Sequence, residues 1–410
     1  MSLLVLKFGA ASVADIEGLK NAASKVAQEV RLGHKVVVVV SAAAGDTDKL
    51  MTTCRRVSPR PNPREYDAIV ATGEQISAGY MALALEQRGL NARSWQGWQL
   101  PIRTNSAYGK AQILDIDTSA LRARLEEGEV AVLAGFQGLA KDNSITTLGQ
   151  GGTDLTAIAI AASLKADRCD IYTKTAGVHT AKPQLVSRAT RLKRISYKEI
   201  LELSALGVTG LTTRALKIAL QHNVPIQILA AFGNDIGSDL PGTLITSEDQ
   251  IMETKPVTGI AHSRDIARIT IKEIQDRPGS AAQVFGALSR AGLNIDMIVQ
   301  PIATGGKTTE LTIAIAEEDL PRALQALEDD KDEIKFSALE AEKNVAKISL
   351  VGSGMRGRSN VAALAFRTLA EKNINIELIE TSEISLTILI AEDYLELALR
   401  TLHTAFELDS

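Results

Sequence analysis

Two rhythms of hydrophobic and polar positions divide the chain. In the first part, short apolar β-branched runs alternate with segments of helical period. Leu3 to Phe8 and Lys35 to Ser41 read as strands, the second an almost unbroken valine run. Glu129 to Phe136, Arg168 to Tyr172 and Pro225 to Leu229 read likewise. Asp15 to Leu32 has Leu19, Ala22, Val26 and Val30 on one helical face. Tyr66 to Arg88 reads as one long helix, and Leu155 to Ala166, Tyr197 to Ala205 and Arg214 to His222 as shorter ones. Strands this apolar, separated by helices, predict a mostly parallel sheet covered on both faces.

The rhythm changes after Gly242-Thr243-Leu244-Ile245 and a polar stretch from Ser247 to Lys255. Two units of order strand–helix–strand–strand–helix follow, about 80 residues apart. The first starts at Ala267–Ile271 and the second at Val345–Leu350. Gly292-Leu293-Asn294-Ile295-Asp296-Met297-Ile298 and Lys372-Asn373-Ile374-Asn375-Ile376-Glu377-Leu378-Ile379 are visibly related. A repeat of this kind suits a pair of ligand-sensing βαββαβ modules, or two structural modules without a ligand. The expected boundaries are 1–246 for the α/β part, 247–257 for a linker, and 258–335 and 336–410 for the repeats, with strands open to exchange between them. The acidic run Glu328 to Glu333 reads as a solvated connection.

Composition narrows the classes. The 410 residues are 45% hydrophobic and 23% charged, enough for two or three globular domains. A net charge of −4 with interspersed signs argues against a nucleic-acid partner. Cys54 and Cys169 form no CxxC, which argues against a disulfide framework or zinc site, and no metal-ligand set is expected. No apolar run reaches about 18 residues, so no membrane partner is expected and a soluble cytoplasmic protein is the default.

The densest chemical signal is Thr146-Thr147-Leu148-Gly149-Gln150-Gly151-Gly152-Thr153-Asp154. Three glycines in four positions admit positive φ and close ligand approach, and good helix formers follow. A glycine turn at a helix start offers free N–H groups and a positive dipole end to an anion. A plain strand-to-helix packing turn has the same local pattern.

Several segments together resemble the aspartokinases along essentially the whole chain. They are Lys7-Phe8-Gly9 with Ser12-Val13, Ser41 to Asp48, Ala71-Thr72-Gly73-Glu74-Gln75, Ala134-Gly135-Phe136-Gln137-Gly138 and the glycine turn. The tail adds Asp296-Met297-Ile298-Val299-Gln300, Thr381-Ser382-Glu383-Ile384 and Leu402-His403-Thr404-Ala405-Phe406-Glu407-Leu408. The resemblance implies an α/β fold: a three-layer amino-acid-kinase domain followed by two ferredoxin-like ACT modules. It also implies phosphorylation of the side-chain carboxylate of L-aspartate from ATP and Mg. Such a carboxylate is already a nucleophile, so the protein's task is positioning and charge neutralisation.

By the same resemblance Lys7 neutralises the transferred phosphoryl group and Asp154 organises the catalytic lysine. Glu74 receives the substrate ammonium, and Thr47, Gly152 and Thr153 bind the substrate acid. Gly9, Tyr172, Thr173 and Gly177 belong to the nucleotide side. Asp276, Asp296, Ile298 and Gln300 would meet an amino-acid effector, and the ACT modules imply a homodimer.

The chain also departs from the family pattern. Lys-Phe-Gly-Gly-Thr-Ser reads Lys7-Phe8-Gly9-Ala10-Ala11-Ser12, and an arginine is replaced by Gln150. An arginine there makes a bidentate pair with an α-carboxylate, which a neutral amide does not. Tyr-Thr-Asp-x-Asp-Gly-Val-Tyr-Thr-Ala-Asp-Pro-Arg reads Tyr172-Thr173-Lys174-Thr175-Ala176-Gly177-Val178-His179-Thr180-Ala181-Lys182-Pro183-Gln184, and a lysine is replaced by Thr209. These changes lead to the expectation of a degenerate nucleotide site. Three readings follow: an aspartate kinase that is weakened or redirected to a related acid, a non-catalytic regulatory homologue, or an enzyme using the aspartate cleft without ATP.

Overall fold

The computed structural model describes residues 1–251, 255–301, 308–355 and 360–409. It divides into two units, Met1–His179 with Arg191–Glu253, and Thr180–Thr190 with Thr254–Ser410.

The first unit opens with β1 (Leu3–Phe8), α1 (Ile16–Arg31), β2 (Lys35–Val40), α2 (Asp46–Val57), α3 (Pro63–Val70) and α4 (Thr72–Glu86). It continues with β3 (Ala92–Trp95), β4 (Ile102–Thr104), β5 (Ile113–Ile116), α5 (Ser119–Glu126), β6 (Val130–Ala134), β7 (Gln137–Leu139), β8 (Ile145–Thr147) and α6 (Gly152–Leu164). β9 (Arg168–Thr173), β10 (Arg194–Ser196), α7 (Tyr197–Ala205), α8 (Thr213–His222), β11 (Ile226–Ala230) and β12 (Thr243–Thr246) complete it. Eight strands form a sheet in the order β10-β12-β11-β9-β1-β2-β6-β3, parallel except where β11 meets β12. β1, β2 and β9 are buried along most of their length, which explains their lack of alternation. A small sheet, β5-β4-β7-β8, stands apart from it.

Two expectations differ from the structure, and one helix was not anticipated. Tyr66 to Arg88 is two helices broken at Ala71, not one. The bend brings Gly73 against Ala42: a Cβ on Gly73 would lie 2.7 Å from the Ala42 Cβ. Asp46–Val57 is a helix that no expectation covered; it is mostly exposed and polar, and Cys54 is its buried residue. The acidic run Glu328 to Glu333 is largely exposed, as expected of a solvated connection, but it is helical on both sides of Asp330, in Leu320–Asp329 and Lys331–Ile334.

The second unit contains β13 (Gly259–Gln275), α9 (Ser280–Arg290), β14 (Ile295–Val299), β15 (Thr308–Ala316), α10 (Leu320–Asp329) and α11 (Lys331–Ile334). β16 (Ala338–Val351), α12 (Asn360–Ala370), β17 (Leu378–Thr381), β18 (Ser385–Ala391) and α13 (Leu395–Ala405) follow. The sheet order is β14-β15-β13-β16-β18-β17. β13 and β16 are long enough to serve both repeats. Residues 259–263 of β13 pair with the end of β16, and residues from Ile266 pair with β15. Each repeat keeps its own apolar core. Thr180–Thr190 falls inside the expected 1–246 span but packs in the second unit, where Ala181 and Val186 join the core of the second repeat. Thr180 Oγ1 is 2.9 Å from His403 Nε2, and the Thr180 carbonyl accepts from Ile260 N. Residues 252–254 of the expected linker lie outside the described residues. No described helix is long and apolar enough to cross a membrane.

Candidate functional site

The parallel strands β1, β2, β6 and β9 all end at one edge of the large sheet, where ligands of open α/β sheets bind. Lys7 is the penultimate residue of β1 and is only 8% exposed. Its Nζ lies 2.7 Å from Asp154 Oδ1, in the first turn of α6. A largely buried ammonium is tolerable because this carboxylate pairs with it. Gly9 keeps the space beyond it open, since a Cβ there would stand 3.2 Å from Lys7 Nζ.

The glycine turn is fixed by backbone demands. Gly149 and Gly151 have φ of 80° and 70°, which favour glycine. Gly152 has no space for a side chain: a Cβ would lie 2.7 Å from Phe136 Cδ2. Gly151 is the N-cap of α6 and supplies no side-chain cap; the Gly152 N–H is taken by Gly149 O at 2.9 Å, and the N–H groups that follow it head a buried helix whose dipole suits an anion. Thr153 is buried, with its methyl against Gly135.

Glu74 enters from the first turn of α4. Its Oε1 accepts from Ala42 N at 3.1 Å, just past the end of β2. Its Oε2 is buried and has no hydrogen-bond partner. Burial pushes the carboxyl up to about 7, against the partial opposition of the Ala42 N–H. A carboxylate in this state gains strongly from an arriving cation. Thr47 is half-buried in the first turn of α2, whose N-cap Gly45 also provides no side-chain cap.

The predicted residues therefore separate. Lys7, Gly9, Gly152, Thr153 and Asp154 gather around the ends of β1 and β6, and Glu74 stands at the end of β2. On the nucleotide side, the Tyr172 ring is fully buried and stacks on Phe8 at 4.6 Å, with Lys25 Nζ 5.3 Å from its centroid. Its side chain is thus core, and its carbonyl is what approaches Gly9. Thr173 Oγ1 donates to Thr175 O. Gly177 is required by packing, because a Cβ would lie 2.5 Å from Thr243 Oγ1. Thr209 is buried and bonds Leu211 O, while Lys174 is exposed. Lys182 and Gln184 belong to the second unit. Among the described residues no group of three metal-ligand side chains occurs.

The effector candidates lie in the second unit. Asp276 is exposed before Gly279, the N-cap of α9, and Ile298 and Gln300 are exposed at the edge strand β14 and just after it. Asp296 is paired with Lys347 of β16, so its carboxylate already has a cation.

Two residues, Asp67 and Arg214, are assigned no role by any motif in the sequence, and Phe136 stands only as part of a quoted motif. Phe136 takes a left-handed φ of 68° beside the turn. Asp67 is fully buried on α3 and accepts three hydrogen bonds, and Arg214 on α8 donates to two carbonyls. Neither charge breaks the helical pattern around it, so no local signal marks them.

Residues 2–230 match the family model described as the amino acid kinase family, and residues 268–332 and 348–406 each match an ACT domain. The chain is 43% identical over its whole length to an aspartate kinase of Pseudomonas putida, covering 98% of that protein. It is 41% identical to aspartokinase 2 of Bacillus subtilis, with the same coverage of both chains. Among solved structures, it aligns over 98% of its length with an aspartate kinase of Clostridium acetobutylicum, at a TM-score of 0.82 and 22% identity, a likeness of fold.

Proposed function

The chain belongs to the aspartokinase family, and from that membership we propose that it transfers the γ-phosphoryl group of ATP to the side-chain carboxylate of L-aspartate. The observation that carries the substrate reading is Glu74: a buried carboxylate with one unpartnered oxygen and a pKa near 7 suits an ammonium group. The uncapped start of α6 suits a carboxylate of the same molecule. Lys7, kept in place by Asp154, suits charge building on the transferred group. A side-chain carboxylate oxygen bonds to the γ-phosphorus, the bond to the ADP bridging oxygen breaks, and an acyl phosphate and ADP leave. No base is required, because no proton is removed from the nucleophile.

The open space at Gly9 beside the Lys7 ammonium fits a phosphate group, and a bound Mg ion would neutralise the phosphates there. The rest of the nucleotide side carries less charge than the family pattern implies. Thr209 spends its hydroxyl on Leu211 O, and Lys174 stands in solvent. We infer that ATP is held weakly, each absent charge-assisted contact costing about 1.5–3 kcal/mol. Gln150 in the turn weakens the α-carboxylate end in the same way and favours acids that need no arginine there.

Acyl-hydroxamate formation from Mg-ATP, aspartate and hydroxylamine tests the reading. Turnover with a raised KM for ATP is expected. Failure of the protein to bind Mg-ATP at millimolar concentration would overturn it and leave the non-catalytic reading standing.

A further inference from the structure

Gly149–Gly152 has no side-chain cap of its own, so something behind it must set its position. Two neighbouring backbone stretches support it. Gly109–Ala111 runs beside Thr147–Leu148, joined by the Ala111 N–H donating to Thr147 O at 2.9 Å. Asp67 takes one hydrogen bond from Gly109 N at 2.8 Å and two from Thr147, from N at 2.7 Å and from Oγ1 at 3.0 Å. Arg214 mirrors this from the other side. Its Nη1 donates to Leu148 O at 2.9 Å and its Nη2 to Ala111 O. An acid thus gathers N–H groups and a cation gathers carbonyls from the same two stretches. Among the described residues neither is ion-paired. Arg214 is spent on backbone, and Asp67 on backbone and the Thr147 hydroxyl, which fixes geometry more strictly than a mobile ion pair does.

Both residues also connect to the parts that the proposed function assigns to the substrate. Asp67 lies on α3, one short bend before α4 and Glu74. Arg214 lies two residues after Thr212, the N-cap of α8, whose methyl group fills the space beside Gly151. Movement of either helix would change the distance between the Glu74 carboxylate and the uncapped start of α6.

We propose that Asp67 and Arg214 are paired positioning residues. Together they set the glycine turn against Glu74, and so set aspartate affinity without touching the substrate. This rests on the aspartate reading above.

The test uses the full chain with Asp67→Asn, which places an amide NH2 against N–H donors, and Arg214→Lys, whose single ammonium lacks the fork that spans two carbonyls. Steady-state kinetics and amide hydrogen exchange are measured on both. The expected result is an aspartate KM raised about tenfold or more with kcat within about threefold. Exchange at residues 147–152 accelerates while β1 and β2 keep their protection. Unchanged KM and unchanged exchange at 147–152 would overturn the proposal. So would a parallel loss of kcat with exchange rising throughout the unit, which marks a general packing role. If the unsubstituted protein does not turn over aspartate, the functional reading fails, and local exchange at 147–152 alone decides whether the clamp exists.

Discussion

Two helices in this molecule start in the same way and differ in everything behind the start. α6 follows Gly151 with φ of 70°, and α9 follows Gly279 with φ of 101°; neither has a side-chain cap. At α6 every neighbour is engaged. Thr212, Phe136 and Leu148 occupy the space where Cβ atoms would go, Lys7 and Asp154 pair in the first turn, and Asp67 and Arg214 hold the base. At α9 no atom of the described residues lies within 4 Å of a Cβ on Gly279, and Asp276, Arg277 and Pro278 are exposed. A glycine-led helix start is therefore only an opportunity. Buried, paired charge around it turns the first into a candidate reaction site.

The largest effect that would break this contrast is at the paired charge. Lys7→Met should lower turnover about a hundredfold or more, measured as initial hydroxamate rate, because a pre-placed cation acts on charge that builds in the transition state. Next come the two glycines' surroundings. Gly152→Ala should cost about 1–3 kcal/mol in urea unfolding, since its Cβ meets Phe136 and Leu148. Gly279→Ala should cost about 1 kcal/mol, the penalty of a left-handed backbone alone. Equal costs at the two positions would remove the contrast.

A subtler effect concerns Glu74. Its carboxyl is raised from 4.5 to about 7, so the folded protein holds a proton that the unfolded chain has released. Stability from this group is therefore full below pH 4.5 and is lost as pH rises towards 7. Glu74→Gln should raise the melting temperature at pH 8, by up to about 3 kcal/mol of stability, and leave it nearly unchanged at pH 4. The same substitution should remove aspartate binding. A melting temperature that rises equally at both pH values would show that Glu74 does not titrate this way.

Much of the fold was legible. The valine run of β2 and the apolar β1 and β9 marked a buried parallel sheet, and the repeat marked the two later modules. The small sheet of β4, β5, β7 and β8 was not, because strands of three or four residues carry too few positions to show a period. The break at Ala71 was hidden because α3 and α4 share one continuous helical pattern. In the candidate site, the glycine turn, Lys7 and Glu74 were singled out from their motifs. Tyr172 shows the limit of that method. It pairs in register with Phe8, so its ring falls on the same buried face, and the motif says nothing about which way a side chain turns. Asp67 and Arg214 act on backbone far away in sequence, and only the fold brings those partners together.

Isothermal titration calorimetry with aspartate at pH 6.5, in buffers of different ionisation enthalpy, tests the central claim most directly. A Glu74 carboxyl raised by burial that ends paired with the substrate ammonium releases protons on binding, and the observed heat shifts with the buffer. Succinate, which lacks the ammonium, should not bind. Aspartate binding with no proton release, or succinate binding as tightly as aspartate, would contradict the account.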